Sequence, residues 1–188
     1  MRILWYPEAE VPAPLRSQVI AIQERAWPTD GAGGLEAWHD PALRPLSMLL
    51  VHGRKVLAAL DILSKDLSHA GTTFAVSGLS AVVTDPGHRG EGFGSRLVAA
   101  AHAAIAASGA DLGIFTCDRS LQGFYERAGW RHLPGTVVVG GTADAPFPSD
   151  AFGKIAIGDF FSPAARAAEG TFIGGRVHLY PGEIDRLW

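Results

Sequence analysis

Three glycines that follow an arginine at alternate positions constrain this chain more than any other feature. The stretch DPGHRGEGFGS occupies residues 85–95, and its glycines follow Arg89 at positions 90, 92 and 94. A β-branched apolar run precedes the stretch and an alanine-rich run follows it, so it joins a strand to a helix. Glycine weakens both elements and belongs where the backbone turns sharply or approaches another molecule closely. The stretch therefore predicts a tight junction that opens a helix.

A junction of this kind suits an anion. The first turn of a helix presents backbone N–H groups without internal partners, and phosphate is a frequent ligand there. Arg89 adds a permanent charge that can bind bidentately. The helix dipole contributes only about 0.3–1 kcal/mol, so several N–H contacts and the arginine have to act together. We interpret residues 89–95 as a pyrophosphate cradle.

Two common phosphate-binding loops do not match this cradle. A P-loop needs G-x-x-x-x-G-K-[ST], and no lysine follows these glycines. A dinucleotide fingerprint needs G-x-G-x-x-G, but here the third glycine is misplaced, with Ser95 following Gly94. The segment also follows closely spaced strands rather than a first strand–helix–strand unit. These departures argue against ATP and nicotinamide cofactors.

The remaining pattern predicts one α+β domain over residues 1–188, without repeats or linkers. Predicted strands cover 2–6, 47–53, 54–67, 72–84, 111–117, 130–140, 152–158 and 176–180, and predicted helices cover 13–27, 34–39, 92–108 and 119–129. The short turns around 53–72 predict an antiparallel meander. The strand–helix–strand passage from 72–84 to 111–117 predicts a parallel pairing. We expect a loop over the Pro- and Asp-rich residues 141–152.

Composition excludes several classes of protein. The net charge of −3 offers no basic footprint for nucleic acid. Cys117 is the single cysteine, which rules out an intrachain disulfide and a Cys-rich metal site. The seven histidines are scattered without metal-ligand spacing, so no metal is expected. The N-terminal apolar run is too short for a signal peptide, and no 18-residue apolar segment suggests a membrane span. We expect a cytoplasmic protein.

Read as R-x-x-G-x-G, positions Arg89, Gly92 and Gly94 resemble the acyl-CoA motif of the GNAT (GCN5-related) N-acetyltransferases. The resemblance extends over about residues 79–130, from LSAVVTDPGHRGEGFGSRLVAAA to LQGFYERAGW. It implies the GNAT fold, a mixed but mostly antiparallel sheet that is splayed between its fourth and fifth strands and flanked by helices. Acetyl-CoA, the co-substrate of the family, would occupy the gap.

The resemblance also implies which residues hold acetyl-CoA. Backbone groups of Val82, Val83 and Thr84 would pair with the pantetheine and the acetyl carbonyl. The pyrophosphate would lie on the amides of Arg89, Gly90, Glu91, Gly92, Phe93, Gly94 and Ser95. Glu91 departs from the pattern, because a basic or neutral residue suits a phosphate better. We expect its side chain to point to solvent.

Acetyl transfer needs a proton for the leaving thiolate, and Tyr125 in FYERAGW matches the family's usual general acid. A tyrosine there can also simply pack its ring, as buried tyrosines do. Cys117 ends a predicted strand, where a small buried cysteine is the common case. The resemblance implies direct transfer rather than an acyl-cysteine.

The general base is not defined by the sequence. The fourth predicted strand carries Ser77 and Ser80 but no acid. Asp61, Asp66 and His69 lie nearby in sequence, although each residue type is equally at home at a solvated strand edge. A carboxylate on the fourth strand, or waters that lead the proton out, would be the family's usual solutions.

The last residues, YPGEIDRLW, give the only indication of the acceptor. Glu183, Asp185 and the terminal carboxylate of Trp188 combine negative charge with a flat ring, which suits a cationic amine. This ending resembles the aminoglycoside 2′-N-acetyltransferases. Two features depart from them, since Ser80 stands where those enzymes carry a glutamate and Arg186 where they carry an acid. Further acidic candidates for an acceptor cleft are Asp144, Asp150 and Asp159.

These residues predict an acetyl-CoA-dependent N-acetyltransferase that acts on a primary amine of a small cationic acceptor. A non-catalytic acyl-CoA-binding sensor stays open because the fourth strand lacks an acid. Acetylation of proteins or peptides stays open as well, since it depends on a groove that a sequence does not show. Neither nucleic acid nor a membrane is expected as a partner, and a homodimer is left open.

Overall fold

The computed structural model describes residues 1–28 and 39–179, and its main element is a mixed sheet of seven strands beside a small sheet of three. The strands of both sheets are β1 (Arg2–Pro7), β2 (Leu46–His52), β3 (Lys55–His69), β4 (Thr72–Thr84), β5 (Leu112–Asp118), β6 (Arg131–His132), β7 (Val137–Gly141), β8 (Pro146–Pro148), β9 (Lys154–Phe160) and β10 (Arg176–His178). The α-helices are α1 (Ala13–Ala26), α2 (Phe93–Ala107), α3 (Gln122–Glu126) and α4 (Pro163–Phe172).

The large sheet has the strand order β1-β2-β3-β4-β5-β9-β6. β2, β3 and β4 form the predicted antiparallel meander, and β1 pairs with β2 in antiparallel fashion. β5 then pairs with β4 in parallel, after the crossover through α2 that parallel strands require. β9 and β6 complete the sheet with antiparallel pairings. The predicted α+β architecture is confirmed.

The sheet opens between β4 and β5. Among the described residues these strands pair only at Val76 with Leu112 and at Ser77 with Gly113. β4 continues to Thr84 with β3 on its other side, so its edge beyond Ser77 faces the opening. The predicted splay between the fourth and fifth strands is confirmed.

A β-bulge distorts β4 inside this opening. The register steps from Ala59 opposite Val83 to Asp61 opposite Ser80, which leaves one extra residue on β4. Ala81 has a φ of 49° at this point, in the left-handed region that non-glycine residues seldom adopt. The bulge re-aims the residues that follow Ser80.

The two long helices cover opposite faces of the meander, as the alternation of side chains along its strands requires. On one face Leu97 and Ala101 of α2 join the same buried cluster as Leu60. On the other face Ile22 of α1 joins the same cluster as Ala59. No helix of residues 1–28 and 39–179 is long and apolar enough to cross a membrane.

The C-terminal part departs from the sequence prediction in two places. The single strand predicted over 130–140 is interrupted at Pro134–Gly135, where Gly135 has a φ of 70°, so β6 joins the large sheet and β7 a small one. That small sheet has the order β10-β7-β8, and β8 lies inside the predicted loop 141–152.

One helix was not predicted. In α4 the Ser162 side chain accepts a hydrogen bond from the N–H of Ala165 at 3.1 Å, and Pro163 occupies the first turn. Phe172 of α4 packs beside Phe74 in a buried cluster under the small sheet. The helix predicted over 34–39 falls almost wholly outside the described residues.

Candidate active site

A cleft of about 600 Å³ lies where the C-terminal end of β4 meets the N-terminus of α2. Nine of the ten residues that the sequence predicts for acetyl-CoA line it, namely Val82, Val83, Thr84, Arg89, Gly90, Gly92, Phe93, Gly94 and Ser95. The tenth, Glu91, is about half exposed, and its carboxylate lies 2.9 Å from Nδ1 of His88. The expected orientation of this side chain toward solvent stays a prediction.

Local interactions shape the junction between β4 and α2. The Asp85 side chain accepts the N–H of Gly87 at 3.2 Å and begins a short 3₁₀ turn. Gly90 and Gly92 follow with φ values of 84° and 79°, which favour glycine. The first helical hydrogen bond of α2 runs from Arg96 N–H to Gly92 O at 3.0 Å, so the amides of residues 93–95 precede it. They are available to a ligand.

Gly94 is required for a different reason. A Cβ there would meet Oγ1 of Thr84 at 2.7 Å and the ring of Phe124 at 3.5 Å. The absent side chain lets the first turn of α2 approach β4 and α3 closely.

Basic side chains lie around the cradle. Arg89, Arg127 and His88 line it, and Nζ of Lys55 lies 2.8 Å from Nε2 of His88. Lys55 also pairs with Asp85 at 2.9 Å, and this hydrogen bond is the main cause that lowers the pKa of that carboxyl. The sequence analysis missed Arg127, although its place in FYERAGW was an available signal.

Tyr125 lies in α3 behind the cleft and not among its lining residues. Its ring is 5% exposed and packs edge-on against Phe115 and Phe124, with centroids 4.9 and 5.0 Å away. Burial raises its pKa well above the usual range, with Cys117 and Asp118 adding to the effect. The phenol therefore keeps its proton at neutral pH.

Cys117 lies on β5 and is buried. Burial raises the pKa of its thiol to about 11, and the neighbouring Asp118 contributes in the same direction. The thiolate is the nucleophilic form of cysteine, so this environment disfavours a covalent role, in agreement with the sequence prediction.

The three candidate bases lie in two different regions. Asp66 and His69 lie toward the end of β3 away from the cleft, where Asp66 is exposed and His69 stacks on Phe172 at 4.0 Å. The two residues do not meet the cradle. Asp61 is buried beside Ser80, opposite the bulge of β4.

Asp61 belongs to a buried polar cluster, which we define as Glu8, His39, Asp61 and Ser80, together with Ser47. Nδ1 of His39 lies 3.3 Å from Oε1 of Glu8, and Nε2 lies 3.0 Å from Oγ of Ser80. Oδ2 of Asp61 lies 4.0 Å from Nδ1 of His39. Ser47 Oγ donates to Oδ1 of Asp61 at 2.5 Å. The sequence analysis treated His39 as scattered and missed Glu8.

The main chain explains why these residues meet. Ser47, Asp61 and Ser80 are cross-strand neighbours on β2, β3 and β4. Glu8 follows β1, and its N–H donates to Pro45 O at 3.0 Å. His39 precedes a 3₁₀ turn that is capped by the Asp40 side chain.

Burial shifts the acidity of this cluster. It raises the pKa of Asp61 from 3.8 to about 6, against the opposing effects of the Ser47 hydrogen bond and His39. The negative charge of Glu8 raises it further. One ligand atom from each of Glu8, His39 and Asp61 lies within 4.8 Å of the others, close enough to hold a metal ion. The expected absence of a metal stays a prediction.

The acceptor residues stay largely untested. Glu183, Asp185 and Trp188 lie outside the described residues. Asp159 is engaged by His102 at 2.9 Å and by Arg131 at 3.2 Å. The Asp150 side chain accepts the N–H of Ala151 at 3.1 Å. These two aspartates have local structural roles in the fold.

A mixed sheet that opens beside a glycine-rich helix N-terminus defines the class of GNAT acyltransferases. The comparison of sequences agrees with it. A family model described as "Acetyltransferase (GNAT) domain" matches residues 15–133, more than half of the chain. The chain belongs to this family. A comparison with curated proteins found no significant match.

Solved structures share the fold at low sequence identity. An acyl-CoA N-acyltransferase from Pseudomonas aeruginosa has a TM-score of 0.57 at 16% identity, over 84% of this chain and 97% of that one. Escherichia coli ElaA has a TM-score of 0.58 at 15% identity, over 84% and 99%. An aminoglycoside 6′-N-acetyltransferase complexed with coenzyme A has a TM-score of 0.58 at 15% identity, over 87% and 98%.

Proposed function

We propose that this protein is an acetyl-CoA-dependent N-acetyltransferase that acetylates a primary amine of a small cationic acceptor directly. The observation that carries the proposal is the cleft between β4 and α2, because nine of the ten predicted acetyl-CoA residues line it together. Membership of the GNAT family supports the reaction class.

The residues of the cleft fit the diphosphate end of acetyl-CoA. Three amides of the first turn of α2 precede its first helical hydrogen bond, and such amides are ready donors to phosphate. Arg89 and Arg127 add two guanidinium groups that match phosphate oxygens bidentately. At Gly90 and Gly92 no heavy atom lies within 4 Å of where a Cβ would stand, so the backbone is open to close approach.

The edge of β4 fits the pantetheine end. Beyond Ser77 this strand has no partner on the β5 side among the described residues. An unpaired strand edge offers alternating N–H and C=O groups to an extended ligand, as in strand addition. The pantetheine carries two amides that match this pattern, and Val82, Val83 and Thr84 are the residues at which we place it.

Acetyl-CoA supplies an acetyl group activated as a thioester. Tyr125 keeps its proton because it is buried, which suits the donation of a proton to the departing sulfur. The thiol of Cys117 stays protonated for the same reason, so the chain favours transfer without an acyl-cysteine.

An aminoglycoside-like acceptor is the specific form of the proposal. One solved structure with a similar fold is that of an aminoglycoside 6′-N-acetyltransferase complexed with coenzyme A. In this chain Glu183, Asp185 and Trp188 would provide the charge and the ring face for a polycationic amine. Ser80 would lie beside the acceptor on β4.

A non-catalytic acyl-CoA sensor is the second candidate. One observation favours it, since β4 carries no acidic side chain from Thr72 to Thr84. A sensor binds acetyl-CoA but turns over no amine, and replacing Tyr125 by phenylalanine leaves its behaviour unchanged.

The release of coenzyme A thiol from acetyl-CoA tests the proposal. We would compare an aminoglycoside that has a 2′-amine with its 2′-hydroxyl counterpart, and then a panel of alkyl amines, polyamines and peptides. Turnover of the 2′-amine compound alone supports the specific form, and turnover of another amine supports the class. Tight acetyl-CoA binding without turnover of any amine overturns the enzymatic proposal in favour of the sensor.

A further inference from the structure

We propose that the buried cluster of Glu8, His39, Asp61 and Ser80 accepts the proton of the incoming amine, with Ser80 as the contact and His39 as the acceptor behind it. This inference rests on the proposed N-acetyltransferase function. It supplies the base that the sequence of β4 does not show.

Ser80 lies next to the cleft along β4. It lies on β4 directly before the bulge at Ala81 and two residues before Val82, which lines the cleft. Ser80 is half-buried, whereas the side chains of His39, Glu8 and Asp61 are only 4%, 9% and 9% exposed. Ser80 is therefore the most exposed residue of the cluster.

The hydrogen bonds of His39 suit one tautomer of its neutral ring. An ionised carboxylate only accepts hydrogen bonds, so Nδ1 of His39 carries the hydrogen that faces Oε1 of Glu8 at 3.3 Å. In the neutral ring Nε2 is then the acceptor for the hydroxyl of Ser80 at 3.0 Å. This is the arrangement in which His39 can take a proton through Ser80.

The charges around His39 favour that step. Glu8 approaches from the segment after β1 and Asp61 from β3, while the facing groups on β2 and β4 are the uncharged hydroxyls of Ser47 and Ser80. The imidazolium that the step forms would lie 3.3 Å from Oε1 of Glu8 and 4.0 Å from Oδ2 of Asp61, and opposite charges attract.

The protons balance as follows. The acceptor ammonium passes one proton to Ser80 Oγ while Ser80 passes its own to Nε2 of His39. The freed nitrogen lone pair forms the C–N bond, and the electron pair of the C–S bond leaves with the sulfur. The sulfur takes a proton from the phenol of Tyr125. The amine then loses its second proton, and this proton reaches the Tyr125 phenolate through solvent. One proton remains on His39 and returns to solvent.

Two other uses of the cluster make different predictions. A metal ion held by His39 and Asp61 would compete with the hydrogen bonds of His39 to Glu8 and Ser80 and of Asp61 Oδ1 to Ser47. A nucleophilic Ser80 would carry the acetyl group covalently. Both are outcomes of the experiment below.

The experiment compares His39→Gln and Ser80→Ala with the wild type on two acceptors. One is the best alkyl amine of the panel, which is protonated at neutral pH, and the other is hydroxylamine, which is largely unprotonated. Loss of a general base costs about 10²–10⁴-fold. We expect kcat on the alkyl amine to fall at least about 100-fold and kcat on hydroxylamine to stay nearly unchanged. A variant that is merely misfolded loses both.

Three further readouts belong to the same experiment. The double variant should lose no more than either single variant, because residues that act as a unit are not additive. The acidic limb of the pH profile should disappear in His39→Gln, and in Glu8→Gln it should move to lower pH because a negative charge beside the imidazolium is removed. His69→Gln is the matched control, since His69 lies outside the cluster, and it should leave both rates unchanged.

Several results overturn the inference. Equal losses on both acceptors indicate a structural role for His39, and an acetylated Ser80 in the mass spectrum indicates a covalent path. Activity that is lost with EDTA and restored by Zn²⁺ indicates a metal. An unchanged kcat in His39→Gln removes the relay while the N-acetyltransferase stands. A wild type that acetylates no amine, hydroxylamine included, removes both.

Discussion

The carboxyl of Asp61 provides a stability test that does not depend on knowing the acceptor. Burial raises its pKa from 3.8 to about 6. Between about pH 4 and pH 6 the Asp61 carboxyl therefore keeps its proton in the native state but has lost it in the unfolded chain. The contribution of Asp61 to stability is intact below about pH 4 and is lost as the pH rises through about 6. At 1.36 kcal/mol for each pK unit, the change amounts to about 3 kcal/mol.

Asp61→Asn is the perturbation. Asparagine is nearly isosteric, and its amide oxygen can still accept the hydroxyl of Ser47, which donates to Oδ1 at 2.5 Å in the wild type. It has no proton to lose. The free energy of unfolding of both proteins is measured by urea denaturation at pH 4, 5, 6 and 7. Taking the difference between the proteins removes the contributions of the groups that they share.

We expect the difference to move by about 2–2.5 kcal/mol in favour of Asp61→Asn between pH 4 and pH 7, since part of the full change precedes pH 4. Asp66→Asn is the matched control, because Asp66 is an exposed aspartate of the same strand, and its difference should stay flat. If the difference for Asp61→Asn does not vary with pH, burial does not raise the pKa of the Asp61 carboxyl. A change in the opposite direction would show that its pKa is lowered.

Three other substitutions test particular contacts. Tyr125→Phe removes the proposed acid and should lower kcat about 100-fold while acetyl-CoA affinity, measured by calorimetry, stays nearly unchanged. Gly113→Ala places a Cβ 2.5 Å from the buried ring of Trp130, so urea denaturation should show a loss of about 1–3 kcal/mol from overpacking. Cys117→Ala should keep its activity in the thiol-release assay, because a buried protonated thiol is not a nucleophile.

Each of these expectations has a result that contradicts it. An unchanged kcat in Tyr125→Phe removes the phenol from the chemistry. An unchanged stability in Gly113→Ala means that the indole of Trp130 does not lie against β5. Loss of turnover in Cys117→Ala with an unchanged fold makes the thiol a participant.

The sequence predicted those parts of the fold that local patterns determine. The meander from 46 to 84 and the helix α2 follow from apolar periodicity and from turn residues. The cradle follows from glycines whose positive φ values are a local requirement, as at Gly90 and Gly92. Because the cradle is one contiguous local motif, nine of the ten residues predicted for it and for the end of β4 line one cleft.

Two elements were missed for different reasons. The start of α4 is encoded locally by Ser162 and Pro163, a capping signal that sequence analysis can detect. The division of 130–140 into β6 and β7 depends on which sheet each half joins, and that is decided by tertiary packing. The dipeptide Pro134–Gly135 indicates where the strand is interrupted, but it does not determine which sheet each half joins.

The polar cluster could not have been predicted from sequence. His39 is separated from Glu8 by 31 residues and from Ser80 by 41 residues. Their meeting depends on the register of β2, β3 and β4 and on where the segment after β1 lies. No local pattern encodes such a long-range arrangement. The predicted acceptor residues Glu183, Asp185 and Trp188 stay predictions.

Calorimetric titration with acetyl-CoA tests the central claim most directly, since the claim is that the cleft between β4 and α2 binds this molecule. We predict one site per chain in the wild type. Arg89→Gln should weaken binding at least about tenfold, which corresponds to about 1.4 kcal/mol, because it removes a guanidinium from the cradle. Arg176→Gln, at an exposed arginine of β10, should bind like the wild type. Absence of binding to the wild type, or equal affinity in both variants, would contradict the account.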